Sequence, residues 1–276
     1  YRHMRMREMR STWNKTGATA IVEHGANPGL VSHLVKKSLV DIASRALKEG
    51  KAAAGVEAAL TNESYNDLAH LLNVKVIHIS ERDTQVTNKP KQWGEFVNTW
   101  SVEGFVGEGC QPAELGWGSH ERHFPADGHR HEQGSKAAIY LSRPGAGTLV
   151  RTWTPLAGPL RAFLITHGES ISIAEYFSVG DGDRPDYRPT VHYAYHPCDD
   201  AVTSVHEFNG KGLTLQPSKR LLMNEIIDGV DELPGRGLQH GKTRLGSARF
   251  CDVRMPPNDG HSELWLSRPG RVPVRF

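Results

Sequence analysis

Hydrophobic and polar positions predict helices in the first quarter of this 276-residue chain. From Leu30 to Leu47 apolar residues recur at helical spacing, and lysines occupy the opposite face. The segment up to residue 60 and the segment 67–72 have the pattern of two further helices. The basic run at 1–10 resembles the middle of a helix. These patterns predict helices up to about residue 72.

The stretch "EHGANPG" lies between an apolar run, 19–22, and the long amphipathic segment. The apolar run has the short β-branched character of a buried strand, and Asn27 followed by Pro28 is typical of a helix N-cap and first helical position. A strand is therefore predicted to run into a helix N-terminus, where free backbone N–H groups favour a polar or anionic ligand group. The alternative is an ordinary helix start, which recurs throughout α/β proteins.

Later segments show strand patterns. Residues 75–80 predict a strand that places Glu81 at its C-terminal end, the edge where ligands gather in open α/β sheets. Residues 96–101 and 136–141 predict two more strands. The apolar runs 158–165 and 170–177 flank the turn 166–169 and predict a β-hairpin.

Two helices are predicted towards the C-terminus, one after the loop at Pro189 and Thr190 and one from Arg220 to Val230. Together with the strands, they predict an α/β fold of the mixed-sheet, α+β kind.

Charge is distributed unevenly along the chain. Residues 1–10 carry a net charge of +3 and residues 234–276 a net charge of +5. Since the total is +2, residues 11–233 carry −6. An acidic body suits a small cation better than nucleic acid, and the basic ends lack the aromatic residues of a nucleic-acid module. No nucleic-acid partner is therefore expected.

Cysteine and apolar content favour a cytoplasmic protein. Cys110, Cys198 and Cys251 lie far apart without a Cys-x-x-Cys pair, which argues against a disulfide framework and against a cysteine zinc site. No apolar run approaches the roughly 18 residues of a membrane span. We therefore expect no membrane partner.

The segment 98–109, "NTWSVEGFVGEG", combines an indole with carboxylates. Trp100, Glu103 and Glu108 lie close together among small residues, a combination that can hold an alkylammonium group by cation–π attraction and charge pairing. The glycines on both sides of Glu108 indicate a close backbone approach. The alternative is a core tryptophan beside solvated acids.

Four histidines follow in one loop region, and His167 lies at the predicted hairpin turn. The spacings could chelate a metal, but no helix aligns these side chains, so a solvated loop without metal is expected. His167 alone has the pattern of a turn histidine, but beside an acidic, aromatic pocket it becomes a candidate proton shuttle. The four histidines are His120, His123, His129 and His131.

Several long motifs, in order, resemble the bacterial homospermidine synthases, relatives of the saccharopine dehydrogenases. They are "EHGANPGLVSHLVKKSL", "ISERDTQ", "NTWSVEGFVGEG", "AELGWGSHERHFP" and "LLMNEIIDGVDEL". The resemblance covers residues 1 to about 233. It implies a Rossmann NAD domain followed by a catalytic domain that also forms a homodimer. It also implies NAD-dependent joining of two putrescines, or of related diamines and polyamines, into homospermidine through imine intermediates, with release of ammonia.

The resemblance also implies site residues. Glu81, Trp100, Glu108 and His167 match active-site positions. The Asn27-Pro28-Gly29 motif would lie where the nicotinamide and the substrate meet. Asp231 is a weaker match for an acidic residue near the substrate. Glu103 is also expected to bind the substrate, because it lies close to Trp100 in the sequence.

Two departures from the family divide the chain. No Gly-x-Gly-x-x-Gly fingerprint follows a strand, so residues 1–26 are expected to be the end of an NAD domain and 27–233 the catalytic domain. Residues 234–276 are rich in Arg, Gly and Pro and are expected to be an atypical, poorly ordered tail. An inactive or polyamine-binding remnant remains an alternative, as does a related reductase, although that enzyme would need a basic clamp for a carboxylate.

Overall fold

The computed structural model describes residues 2–14, 16–22, 25, 28–154, 158–180, 184–222, 247–254 and 263–265. The predicted early helices are confirmed. They are α1 (Arg2–Met9), followed by a 3₁₀ turn, and α2 (Leu30–Lys48), α3 (Val56–Thr61) and α4 (Tyr65–Leu71). Helix α2 buries Val31, Val35 and Leu39 in the main core, together with Val56 of α3 and Leu68 of α4.

The corner before α2 differs from the prediction. Residues 19–22 form no strand, and Ile21 is 75% exposed. The helix begins at Leu30 with Gly29 as its N-cap, at a φ of 126° that favours glycine, so Pro28 is not the first helical residue. Asn27 lies outside the described residues. A hydrogen bond of 2.7 Å from the amide of Gly25 to the carbonyl of Pro28 closes the corner locally, which the N-cap pattern did not anticipate.

The described residues contain one large mixed sheet and one small parallel sheet. The strands are β1 (Val76–Asp83), β2 (Glu95–Asn98), β3 (Pro112–Gly116), β4 (Gly128–Arg130), β5 (Ala138–Pro144), β6 (Leu149–Thr154), β7 (Gly158–Phe163), β8 (Thr190–His196), β9 (Ser218–Leu221), β10 (Ser247–Arg254) and β11 (Glu263–Trp265). In the large sheet the order is β11-β10-β1-β8-β3-β5-β4, and β7 pairs with both β6 and β8. Strands β1 and β8 are parallel, and their other pairings are antiparallel. The small sheet pairs β2 with β9.

Three further helices pack around these strands. They are α5 (Val102–Gly109), α6 (Gly168–Tyr176) and α7 (Asp199–Gly210). Two of them, α5 and α6, contribute to the candidate site. Phe105 of α5 and Phe208 of α7 join Ile77 and Ile79 of β1 in the main core. The predicted α/β mixed-sheet fold is confirmed, and most strand pairs of the sheet are antiparallel.

Two predicted elements are wrong. The second arm of the predicted hairpin is the helix α6, because Ser170, Ala174 and Phe177 are buried at helical spacing. This helix lies so close to β3 that a Cβ on Gly116 would be 2.4 Å from that of Ala174. The predicted helix after Pro189 is the strand β8, in which Val191, Tyr193 and Tyr195 recur with period two and residues on both faces are buried.

The predicted helix from Arg220 to Val230 is wrong at its start, because Arg220 and Leu221 end β9. Residues 223–230 lie outside the described residues. Strands β10 and β11 belong to the segment predicted to be an atypical tail, and the order of that segment stays a prediction. Among the described residues, no helix is both long enough and apolar enough to cross a membrane.

Candidate active site

The parallel pair β1 and β8 places an acidic and an aromatic row on one face of the sheet. Glu81 lies opposite Tyr195 in this pair, and Ile79 lies opposite Tyr193. Since alternate residues of a strand share a face, Glu81 and both tyrosines lie on the same side. The hydroxyl of Tyr193 donates a hydrogen bond of 3.0 Å to Oε2 of Glu81. The carboxylate is 8% exposed, and this bond helps to hold it in place.

The N-terminus of α6 brings a histidine and a second carboxylate to this face. His167 is the N-cap residue, and Glu169 lies in the first turn, where the helix dipole favours an anion. Nδ1 of His167 hydrogen bonds to Oε2 of Glu169, which is fully buried. The imidazole also packs on the ring of Tyr193, with 4.4 Å between ring centroids. His167 is therefore not at a hairpin tip, but at a helix start beside Glu81.

The protonation of His167 reflects this acidic surrounding. Burial opposes the charged imidazolium, but the hydrogen bond to Glu169 and the charges of Glu169, Glu108 and Glu81 outweigh it. The net effect raises the pKa of His167 above its ordinary value. Three carboxylates therefore hold a proton on one imidazole, which is the state that a general acid needs.

This raised pKa predicts a pH-dependent contribution to stability. Because the folded protein binds the His167 proton more tightly than the unfolded chain, the stabilisation is complete below about pH 6.5 and is lost as the pH rises through the folded pKa. Glu169→Gln should therefore lower the free energy of unfolding more at about pH 6 than at about pH 9. Urea denaturation of both proteins at the two pH values measures this. An equal loss at both would contradict the pairing.

Helix α5 supplies the third carboxylate from its last turn. Burial raises the pKa of Glu108, the nearby charge of His167 lowers it, and that of Glu169 raises it again, with a net rise. A carboxylate whose charge is disfavoured in the free protein gains when a cation binds beside it. Glu108 is thus placed to receive a positively charged group.

Trp100 precedes α5 directly, and its ring is fixed on several sides. The indole Nε1–H donates a hydrogen bond of 3.1 Å to the hydroxyl of Tyr195. The ring meets Phe105 edge to face, with centroids 5.7 Å apart. The side chain of Ser101, the N-cap of α5, accepts from the amide of Gly104 and starts the helix beneath the ring.

Gly104 makes room for the indole, which gives a second prediction. A Cβ at this position would lie 2.9 Å from Cζ3 of Trp100, so Gly104→Ala should displace the ring and change its fluorescence. Gly107→Ala on the same helix is the matched control, because a Cβ there meets nothing within 4 Å. The control should stabilise the helix by about 0.5–1 kcal/mol and leave the indole signal unchanged. Equal spectra for the two variants would contradict the tight fit.

The structure brings together Glu81, Trp100, Glu108 and His167, the four residues predicted to be catalytic. Hydrogen bonds or charge interactions connect each of them to the same group of side chains around Tyr193 and Tyr195. Their catalytic roles stay predictions.

The remaining predicted residues lie elsewhere or outside the described residues. Glu103 is exposed on α5 and forms an ion pair of 2.6 Å with Lys219. Pro28 and Gly29 lie at the start of α2. Asn27 and Asp231 are not among the described residues. The assignments of all five to cofactor or substrate stay predictions.

Three of the four histidines of the loop region, His120, His129 and His131, each contact a different polar side chain. His120 lies 3.4 Å from the carboxylate of Glu121, whereas His131 bonds to Glu114. His129 bonds to Ser142, and its ring stacks on Tyr140. Within the part of the chain that the structure describes, no three His, Cys, Asp or Glu side chains are grouped as metal ligands.

Sequence reasoning missed three residues of this cluster: Glu169, Tyr193 and Tyr195. The period-two spacing of Tyr193 and Tyr195 within 190–196 was a readable signal for a strand, and it would have placed both tyrosines on one face. No comparable signal existed for Glu169, because its burial depends on α6 packing against β3 and β8.

Comparison with known protein families shows the family to which this chain belongs. The family described as the saccharopine dehydrogenase C-terminal domain matches residues 25–265. The chain belongs to this family.

Among its relatives, those most informative about function are homospermidine synthases. The one from Blastochloris viridis is 51% identical over 231 residues, which cover 83% of this chain and 47% of that protein. The one from Mesorhizobium japonicum is 50% identical over 219 residues, with 79% and 44% covered. The chain thus spans about half the length of these curated relatives.

A solved structure is similar as well. The crystal structure of homospermidine synthase from Legionella pneumophila in complex with NAD matches with a TM-score of 0.76 at 41% identity. The match covers 96% of this chain and 52% of that one.

Proposed function

We propose that this chain is the substrate-binding half of an NAD-dependent homospermidine synthase, which joins two putrescines and releases ammonia. One observation carries the proposal. Three carboxylates, Glu81, Glu108 and Glu169, act on the charge of one buried imidazole, and an indole is held beside them. The similarity to homospermidine synthases over most of the chain supports it.

The charge of the site suits a diamine. Putrescine carries two ammonium groups, and a buried ammonium needs a carboxylate partner. Glu108 gains charge-assisted hydrogen bonds when such a group binds, since burial disfavours its charge in the free protein. A related reductase acting on amino acids would instead need a cation for the substrate carboxylate. The cluster of Glu81, Glu108 and Glu169 favours the diamine.

The side chains then have distinct tasks in the condensation. The Trp100 face attracts a cationic imine without reacting with it. The raised pKa of His167 favours its protonated form, which can deliver a proton to the departing amine, while Glu169 hydrogen bonds to its Nδ1 side. Glu81, held by Tyr193, can orient the ammonium group of the substrate.

NAD would supply the hydride acceptor and donor of this chemistry. The candidate contact in this chain is the start of α2, where Gly29 is the N-cap residue and carries no side chain that would block a close approach. The predicted contacts are those of Asn27, Pro28 and Gly29. No Gly-x-Gly-x-x-Gly fingerprint follows a strand in this sequence.

The test uses the full-length protein and this chain in parallel. The full-length protein should convert putrescine to homospermidine when NAD is present, and mass spectrometry detects the product. This chain alone should turn over no putrescine, but should bind it in calorimetry. A full-length protein that binds putrescine without NAD-dependent product would favour a polyamine-binding remnant. Turnover of an amino acid substrate would favour the reductase.

We also infer a homodimer in the cytoplasm. The resemblance implies the homodimer, and the cysteine pattern favours the cytoplasm. Light scattering after size-exclusion chromatography of the full-length protein measures the subunit number. A monomer at working concentration would contradict the dimer.

A further inference from the structure

Two tyrosines of β8 contact three of the four side chains predicted to be catalytic. Tyr193 and Tyr195 are two residues apart on one strand, so both point to the same face of the sheet. They are 3% and 5% exposed, and their rings are nearly parallel, with an angle of 10° and centroids 6.2 Å apart. The pair is therefore a rigid, buried platform beneath the site.

Tyr195 holds the indole. Its hydroxyl accepts the 3.1 Å hydrogen bond from Nε1 of Trp100, and its ring lies 6.0 Å from that of Phe105, which packs on the same indole. A cation–π site depends on where the ring face points, and this bond fixes the rotation of the indole about its side-chain torsions. Without it, a partly buried N–H would lose its acceptor in the protein.

Tyr193 holds the acid and the imidazole together. Its hydroxyl donates to Oε2 of Glu81 at 3.0 Å, and its ring packs against the imidazole of His167 at 4.4 Å. Burial raises the pKa of Tyr193 well above its usual range, and the charge of Glu81 raises it further. Burial likewise raises the pKa of Tyr195, with the charge of Asp83 as the next cause. Both hydroxyls therefore remain neutral at working pH.

We infer that Tyr193 and Tyr195 are positioning residues of the active site, with Tyr195 orienting the cation-holding face of Trp100 and Tyr193 fixing Glu81 against His167. Neither is assigned a chemical step, since each acts through the side chain that it holds. The inference rests on the proposed function for its kinetic part. Its structural part concerns the orientation of Trp100 and stands independently.

The test replaces each tyrosine with phenylalanine in the full-length protein, which keeps the ring and removes only the hydroxyl. Tyr187→Phe is the matched control. Tyr187 is 4% exposed, its hydroxyl donates to the carbonyl of Val74, and its ring stacks on His70 away from the site. The three variants therefore lose one buried hydroxyl each, and a loss of stability common to all three is not evidence for positioning.

Two readouts separate the roles. With 5-fluorotryptophan incorporated, the ¹⁹F signal of Trp100, assigned with Trp100→Phe, should shift in Tyr195→Phe and stay in place in Tyr193→Phe and Tyr187→Phe. Both site variants should lose about threefold to tenfold in kcat/KM for putrescine, the equivalent of one hydrogen bond. Tyr187→Phe should stay within about twofold of the parent protein.

Several outcomes would overturn the inference. A Trp100 signal unmoved by Tyr195→Phe would show that the hydroxyl does not orient the ring. Kinetics equal to those of Tyr187→Phe would show that the pair is only structural. If the parent protein forms no homospermidine while the ¹⁹F shift appears as expected, the proposed function fails and the positioning of Trp100 stands.

Discussion

Glu108→Gln in the full-length protein is expected to lower kcat/KM for putrescine about tenfold to a hundredfold. The substitution keeps the shape of the side chain and removes its charge, and a charge-assisted hydrogen bond contributes roughly 1.5–3 kcal/mol. Burial and the neighbouring charges of His167 and Glu169 identify this carboxylate as part of the cluster. Steady-state kinetics on putrescine measure the effect.

Glu103→Gln is the comparison that makes this result specific. Glu103 lies on the same helix, but it is exposed and paired with Lys219, so the geometry predicts a loss within about twofold. A similar loss for both variants would favour the sequence-based prediction that Glu103 also binds substrate. If Glu108→Gln itself changed kcat/KM by less than about twofold, the assignment of Glu108 to a cation pocket would be wrong.

His167→Ala is expected to lower the free energy of unfolding by about 3–5 kcal/mol, because it leaves a buried carboxylate without its partner. Glu169 is fully buried, and its Oε1 has no hydrogen-bond partner among the described residues, so Oε2 depends on His167. Urea denaturation of the full-length protein measures the loss. In a protein that already carries Glu169→Gln, His167→Ala should cause a much smaller loss of unfolding free energy, and a double-mutant cycle measures this difference.

His131→Ala offers a matched control for this second prediction. Glu114 is also a buried carboxylate bonded to a histidine, but its Oε2 keeps a hydrogen bond of 2.9 Å from Thr166 when His131 is removed. The loss should therefore be smaller than for His167→Ala. Equal losses would indicate that Glu169 is not specifically dependent on His167.

Both predictions concern a cluster whose composition is unfavourable for stability alone. Removing carboxylates from water carries a desolvation cost. A protein in which apolar residues of similar volume replace a buried ion pair is often at least as stable as the original. The site retains Glu169 beside Glu108 and Glu81 in spite of this cost. Such retention is expected where a proton or a cation must be held for chemistry.

The local sequence was sufficient to predict those helices and strands whose hydrophobic periodicity fits only one type of secondary structure. The 19-residue helix α2 has an apolar stripe long enough to exclude a strand, and β1 was predicted within a few residues of its observed limits. The segment 98–109 also indicated a possible cation site at Trp100 and Glu108, with a core tryptophan as the alternative, whereas the candidacy of His167 depended on its neighbours and on the family resemblance.

Local sequence failed where short apolar runs fit two periodicities. Residues 170–177 satisfy both an alternating and a helical pattern, and the packing of α6 on Gly116 selects the helix. For 190–196 the alternation was present, but the neighbouring proline suggested a helix start. Short segments of this kind take the structure that buries them best.

The sequence by itself determined the residue types of the site, an acidic body and the mixed α/β class, because these depend on composition and local periodicity. Only the tertiary structure decided that Glu81 and Tyr193, 112 residues apart, share a hydrogen bond, that Glu169 is buried behind His167, and that Tyr195 holds Trp100. The physical reason is that burial and pairing across distant segments set these contacts. A local pattern carries no information about which distant strand will lie beside it.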